Sequence, residues 1–318
     1  MAEILLTIQH DNVVFSPPVK EDIQIEWERT GTPGKLTFTT VDLESNKFTE
    51  GDAVCFYYGE TKMFMGYVFT KSRSRDNTIK VTCYDQLRYL KNKFSYVFQN
   101  KTASEIIRSM CNDFNLNIGT IENTNYVLKS VAEENTAVID IILNALQDTL
   151  VNNGEMFVIY DDFGKITVKN TLNMLSNVLI CDETAEDFDY SSSIDSDVYN
   201  EIVLVYKEEN NVLTPYTASS KENISKWGTL RYFETIQNKT NAQTKANQLL
   251  RLYNKKKREL KIKGAFGSPT VRGGTLIPVR LNLGDVQTNH YMLVDKVTHK
   301  FNLDHYTMDL TVSGDWGD

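Results

Sequence analysis

The sequence predicts an α+β, mainly β protein in which two strand-rich domains flank a small α/β domain. Three observations carry this. Short apolar strands crowd the chain before residue 97 and after residue 179, a block of helical periodicity lies between them, and one order of glycine, strand, turn and strand occurs twice. The expected domains are a first β-barrel at 1–97, a small α+β domain at 98–178, and a second β-barrel at 179–318 with an inserted helix at about 240–257.

From Ile4 to Asp85 the strands ILLTIQ, DIQIEWE, KLTFTTV, AVCFYY, KMFMGYVF and TIKVTCY are separated by turn residues such as GTPG and RDN. That spacing is the pattern of a small barrel or sandwich. The hairpin EGDAVCFYYGETKMFMGYVF (50–69) is apolar on both faces. Alternation puts Val54, Phe56 and Tyr58 on one side of its first strand and Ala53, Cys55 and Tyr57 on the other. It likewise divides Phe64, Gly66 and Val68 from Met63, Met65 and Tyr67. An antiparallel sheet in a monomer ordinarily leaves one face wet, so a second covering surface is expected, from the other barrel or from another subunit. Gly66 inside its strand suggests a bulge or bend.

Past Leu90 the period changes. Thr102-Ala-Ser-Glu105 is a capping box, followed at helical spacing by Ala103, Ile106, Ile107, Met110, Cys111 and Phe114. A second helix is expected from about Thr136 to Thr149, with Val138, Ile141, Ile142, Ala145 and Leu146 on one face and NNG at its end. EMFVIY, the turn DDFG and KITVK then read as a hairpin. Residues 98–178 hold five Lys+Arg against ten Asp+Glu, which marks this domain as a solvated or lumen-facing part.

The third region opens on the acidic stretch CDETAEDFDYSSSIDSD (181–197) and returns to strands at NEIVLVY, VLTPYT and TLRYFE. A helix is expected from about Thr240, with T-N-A-Q as a capping box and Ala242, Ala246, Leu249, Leu250 and Tyr253 on one face. Strands ELKIKG, TLIPVRL, HYMLVDKV and HYTMDLTV follow. GDAVCFYYGETKMFMGYVF…TIKVTCY and GTLIPVRLNLGDVQTNHYMLVDKV…YTMDLTV share an order of elements, though hardly any residues.

Chemistry is hard to find. A charged fraction of 24% and a hydrophobic fraction of 41% are those of an ordinary folded protein. The net charge of −8 argues against a nucleic-acid binder, and the run KKKR at 255–258 reads as a helix C-terminus favoured by the dipole. No run approaches the ~20 apolar residues of a membrane helix, and MAEILLTIQHDN lacks a signal-peptide pattern, so synthesis in the cytoplasm is expected. Cys55, Cys83, Cys111 and Cys181 are scattered without metal spacing and read as reduced core residues. His299 and His305 flank a hairpin where they could face each other, but no third ligand or acid accompanies them. Asp182, Glu183, Glu186, Asp187 and Asp189 lack the order of a calcium loop and read as an acidic connector. Nucleophile elbows, zinc helices and phosphate loops are absent from the sequence. No catalytic, cofactor-binding or metal residue is therefore assigned, and no enzyme activity is expected.

The order PGKLTF, EGDAVCFYY, MFMGYVF, IKVTCYDQLRYLKN, KTASEIIRSMCNDF, NGEMFVIYDDFGKITVKN and LVDKVTHKFNLDHYTMDLTV resembles the XkdQ-like baseplate hub proteins of contractile phage tails and tail-like bacteriocins. Late-control D proteins and the head of type VI spike proteins are near relatives of that family. The likeness spans nearly the whole chain. It implies two tail-tube-like barrels and a homotrimer whose six barrels adapt a hexameric tail tube to a trimeric central spike. The implied partners are the tail tube protein, the spike, other baseplate proteins and the tape measure protein, in a virion or tail-like particle. The α+β domain would then add little to the ring wall. A baseplate-borne cell-wall hydrolase and a carbohydrate-binding host-recognition protein are the alternatives.

Overall fold

The computed structural model describes residues 2–20, 22–43, 47–208, 212–284, 286–302 and 305–314. Strand outweighs helix by 51% to 18%, so the mainly β class holds.

The first stretch forms β1 (Ile4–His10), β2 (Val13–Phe15), β3 (Ile23–Glu28), β4 (Lys35–Val41), β5 (Ala53–Tyr58), β6 (Thr61–Arg73) and β7 (Thr78–Tyr84). After a short 3-10 helix (Gln86–Lys91) come β8 (Lys93–Thr102), α1 (Ala103–Asp113), β9 (Ile118–Ile121), β10 (Val127–Ala137), α2 (Val138–Asn153), β11 (Phe157–Asp161) and β12 (Ile166–Asn170). The last third holds β13 (Ile180–Cys181), β14 (Asp187–Ser193), β15 (Glu201–Lys207), β16 (Leu213–Ser219), α3 (Lys221–Trp227), β17 (Arg231–Ile236) and α4 (Ala242–Tyr253). It ends with β18 (Lys257–Phe266), β19 (Leu276–Asn282), β20 (Gln287–Phe301) and β21 (Tyr306–Ser313).

The two strand-rich stretches meet in one sheet of 13 strands, in the order β14-β18-β21-β20-β3-β4-β7-β6-β5-β1-β2, with β19 also on β20 and β13 on β19. The joint is the antiparallel pair β20–β3, running from Lys296 opposite Glu28 to Phe301 opposite Ile23. β20 is 15 residues long, enough to pair with β19 through its first half and with β3 and β21 through its second. One buried apolar cluster spans both stretches, from Ile8, Ile25, Phe38 and Phe56 to Met292, Val297, Phe301 and Met308. The Phe56 and Phe301 rings, one from each stretch, lie 4.8 Å apart. No closed barrel is found among the described residues.

A second cluster packs α1 and α2 on β9, β11 and β12. The capping box of α1 is complete: Thr102 and Glu105 satisfy each other's backbone N–H groups. Gly154, in the left-handed region at φ 78°, closes α2. The ribbon β8–β10 was not expected from the sequence, and β8 runs across residue 97.

A third cluster joins α4 to the small sheet β16-β15-β17 and to Val151 of α2. Because β14 and β18 are hydrogen-bonded neighbours, the chain between them leaves the main sheet and returns to it. The expected capping box at Thr240 does not form. Asn241 occupies the cap at φ 59° without a side-chain bond, and Gln243 reaches to the Thr217 carbonyl on β16 instead. KKKR does not end the helix either: α4 stops at Tyr253, Lys257 opens β18, and Arg258 is buried.

Candidate assembly site

The β5–β6 hairpin follows the expected alternation except at Met63, which was expected on the outer face with Met65 and Tyr67 but is buried in the core beside Phe64, because the bulge opposite Phe56/Tyr57 shifts the register there. Val54, Phe56, Phe64 and Val68 are buried, while Cys55, Tyr57, Met65 and Tyr67 are half-buried on the other face. Bulges fall on both sides of Gly66, where the register slips at Phe56/Tyr57 and at Val68/Thr70. Gly66 itself is needed for close approach, since a Cβ there would lie 2.4 Å from the Tyr84 carbonyl.

What covers the outer face differs from expectation. The turn between β11 and β12 lies on it: Phe163 sits 5.3 Å from Tyr57, and the Met65 sulfur packs on Gly164 so closely that a Cβ there would be 2.4 Å away. Tyr89 of the 3-10 helix approaches Tyr67 and Phe69 at 6.0 and 6.2 Å. The chain's own α/β unit takes up part of this apolar surface, where the other strand-rich stretch or a second subunit was expected.

Beneath that contact lies a buried polar junction drawn from all three thirds of the chain. Asp85, after β7, accepts hydrogen bonds from the backbone N–H of Gly34 at 2.8 Å and of Leu87 at 3.0 Å. Asp161, at the end of β11, accepts from Gly164 N–H at 2.6 Å and from the Gln86 amide at 3.1 Å. Gln86 accepts in turn from Asn117 N–H at 3.0 Å. Arg272, from the last third, stacks between Tyr160 and Trp27 at 4.0 and 4.8 Å and donates to the Asp161 carbonyl at 3.2 Å. Burial, reinforced by the facing Asp161, pushes the Asp85 carboxyl well above the usual range. Burial also raises Asp161.

His299 continues the junction. Its ring is fully buried, Nε2 donates to the Val271 carbonyl at 2.9 Å, and Nδ1 accepts from the Tyr306 hydroxyl at 2.9 Å. Burial holds its pKa down at about 4, so it is a neutral spacer. It stands opposite Met308 in the β20–β21 register, not opposite His305, which is exposed. Cys83, Cys111 and Cys181 are buried free thiols, and Cys55 is half-buried. In the acidic stretch, Asp187 and Asp189 pair with Lys263 at 3.7 and 2.7 Å, and among the described residues no group of three or more His, Cys, Asp or Glu could hold a metal ion. No helix among them is long and apolar enough to cross a membrane.

The surfaces left for partners include the ends of the main sheet. β2 ends it on one side, with Val13 and Val14 each 63% exposed. β14 ends it on the other. The model of the YqbQ-like family matches residues 23–313. The chain belongs to that family. It is 32% identical over 92% of its length, and 92% of the relative's, to the phage-like element PBSX protein XkdQ of Bacillus subtilis. Its fold is similar to that of a tail protein from Neisseria meningitidis, with a TM-score of 0.73 at 9% identity over 98% of both chains. It is also similar to an Escherichia coli type VI secretion component described as resembling the T4 tail proteins gp27 and gp5, with a TM-score of 0.57 at 12% identity over 96% of this chain and 76% of that one.

Proposed function

We propose that this YqbQ-like chain is a structural baseplate component that assembles as a homotrimeric hub between a hexameric tail tube and a trimeric spike. The observation that carries this reading is the joint at β20–β3. It joins the two strand-rich stretches in one sheet, with an outer edge contributed by each, β14 from the later stretch and β2 from the earlier. Two tube-like halves per chain give six positions in a ring of three. A contact of one end against the other is heterologous, and such contacts close into rings when the rotation allows. In the free chain both ends are guarded, β2 by being three residues long and β14 by its aspartates.

The fold shared with tail proteins and with a type VI component supports tube and spike as neighbours. The contractile tail or tail-like bacteriocin is the setting that this reading implies, with tube, spike, tape measure and other baseplate proteins as partners and no catalytic role for the chain. Co-expression with the tail tube protein and the spike from the same gene cluster tests it. The expected result is a complex with three copies of this chain between the two. Recovery of a complex in which either partner binds a single copy would refute the trimeric adaptor.

A further inference from the structure

We infer that the last residues of β6, from Thr70 to Arg73, take up β14 of a neighbouring copy of this chain, repeating between chains the joint that β20 makes with β3 inside one. The inference rests on the trimer proposed above. It keeps β14 as one side of the ring contact and places the other at β6 instead of β2.

The two strand-rich stretches run through five matching strands. β3-β4-β7-β6-β5 in the first corresponds to β14-β18-β21-β20-β19 in the second, and the order along the chain is kept. Details coincide as well. Val68 exchanges backbone hydrogen bonds with Gly51 and Asp52, and Val294 does so with Gly274 and Thr275. The register against the next strand slips after each valine, between Val68 and Thr70 and between Val294 and Lys296. Thr70 therefore stands where Lys296 does.

Beyond that slip the stretches differ. β20 pairs with β3 from Lys296 to Phe301, along the same edge that β19 occupies further back. β6 pairs with β5 on that edge only as far as Tyr67, and among the described residues no strand pairs there with Thr70 to Arg73. β14, which matches β3, has β18 along one edge and no strand along the other among the described residues. One chain thus carries a filled joint and both sides of an open one.

Register and charge both fit. Leu36 lies between Ile25 and Cys83, and Leu260 between Tyr190 and Val312, so β14 aligns with β3 at Tyr190 and Ile25. Ile25 is opposite His299, and the same joint made by β6 sets Thr70 opposite Ser193 and Ser72 opposite Ser191 of the neighbour. In the filled joint the β20 side supplies Lys296, and the β3 side supplies Glu26 and Glu28. The open one has the same polarity: TKSRSR (70–75) carries three cations and no acid, whereas residues 181–197 carry seven acids and no Lys or Arg. Arg73 already pairs with Asp42, and Lys263 with Asp187 and Asp189. Charge therefore orients the contact, and main-chain hydrogen bonds between the two edges hold it.

Cysteine cross-linking of the full chain tests this register. Facing residues of an antiparallel pair have Cα atoms about 4.5–5.5 Å apart, within reach of a disulfide. Under mild oxidation, co-expressed T70C and S193C chains, and co-expressed S72C and S191C chains, are expected to form chain-to-chain disulfides at least about tenfold above any of these variants alone. T70C with D187C is expected to stay at background, because Asp187 lies about 20 Å further along β14. The unaltered chain gives the background from Cys55, Cys83, Cys111 and Cys181, and circular dichroism melts identify any variant that fails to fold. Association without a disulfide at either matched pair, or an equal yield from T70C with D187C, overturns the strand joint while leaving the hub reading intact. An unaltered chain that never associates overturns both.

Discussion

Two polar joints hold the strand-rich stretches and the α/β unit together, and they work in opposite electrostatic senses. At the seam, Glu26 bridges Lys35 and Lys296 at the protein surface, and despite the cost of partial burial the two ammonium groups hold its pKa below the usual carboxylate range. At the junction, Asp85 and Asp161 face each other out of water, with backbone N–H groups as their main partners, and both are raised. Burial is the deciding difference. A carboxylate with nearby cations favours its charged form, whereas two carboxyls in a dry site favour the proton. The seam is a joint that acid loosens, and the junction is one that acid tightens.

The largest effect should come from removing the deeper joint. Asp85→Ala leaves the N–H groups of Gly34 and Leu87 buried without an acceptor, and a loss of about 2–4 kcal/mol is expected in chemical denaturation. A loss under about 1 kcal/mol would show that water or a shifted loop replaces the carboxyl.

The opposed signs can be read from pH. For Asp85 and Asp161 the folded pKa lies above the unfolded value of about 3.9, so their stabilising contribution is full below that value and is lost as pH rises through the folded pKa. For Glu26 the contribution is present above about 4.3 and is lost as pH falls through its lowered folded pKa. Melting temperatures of the unaltered chain and of Asp161→Asn should therefore diverge as pH rises above about 3.9, the unaltered chain losing ground. Parallel curves would mean that the pair carries no trapped proton.

A smaller effect is expected where the α/β unit meets the hairpin. Gly164→Ala places a Cβ at φ 79° and against the Met65 sulfur, at a cost of about 1–3 kcal/mol. Protection of the β5–β6 amides from hydrogen exchange should fall with it. The smallest change is Glu26→Gln, about 0.5–1 kcal/mol after discounting for solvent, and vanishing at high salt.

Much of the framework was legible because it follows local periodicity. The capping box of α1, the αL glycine after α2 and, apart from Met63, the alternation of the β5–β6 hairpin appear where the residue pattern places them. The joints were not legible. β3 and β20 pair across most of the chain length, and nothing local in IQIEWE announces a partner near residue 299. Asp85 and Asp161 look in sequence like turn residues, because aspartate before a tight turn is ordinary and its burial depends on a distant Arg272 and Gln86. The short helix α3 has no buried residue, so it offers no amphipathic stripe to detect. At Thr240 the capping pattern was present but outcompeted, since Gln243 bonds to β16.

The central claim is that two sheet halves in each chain build a three-chain ring. Class averages of the purified chain in negative-stain electron microscopy, at concentrations spanning its self-association, test this most directly. The account predicts a three-fold ring with six wall densities around an open centre. A two-fold dimer, or single compact particles at every concentration, would contradict it.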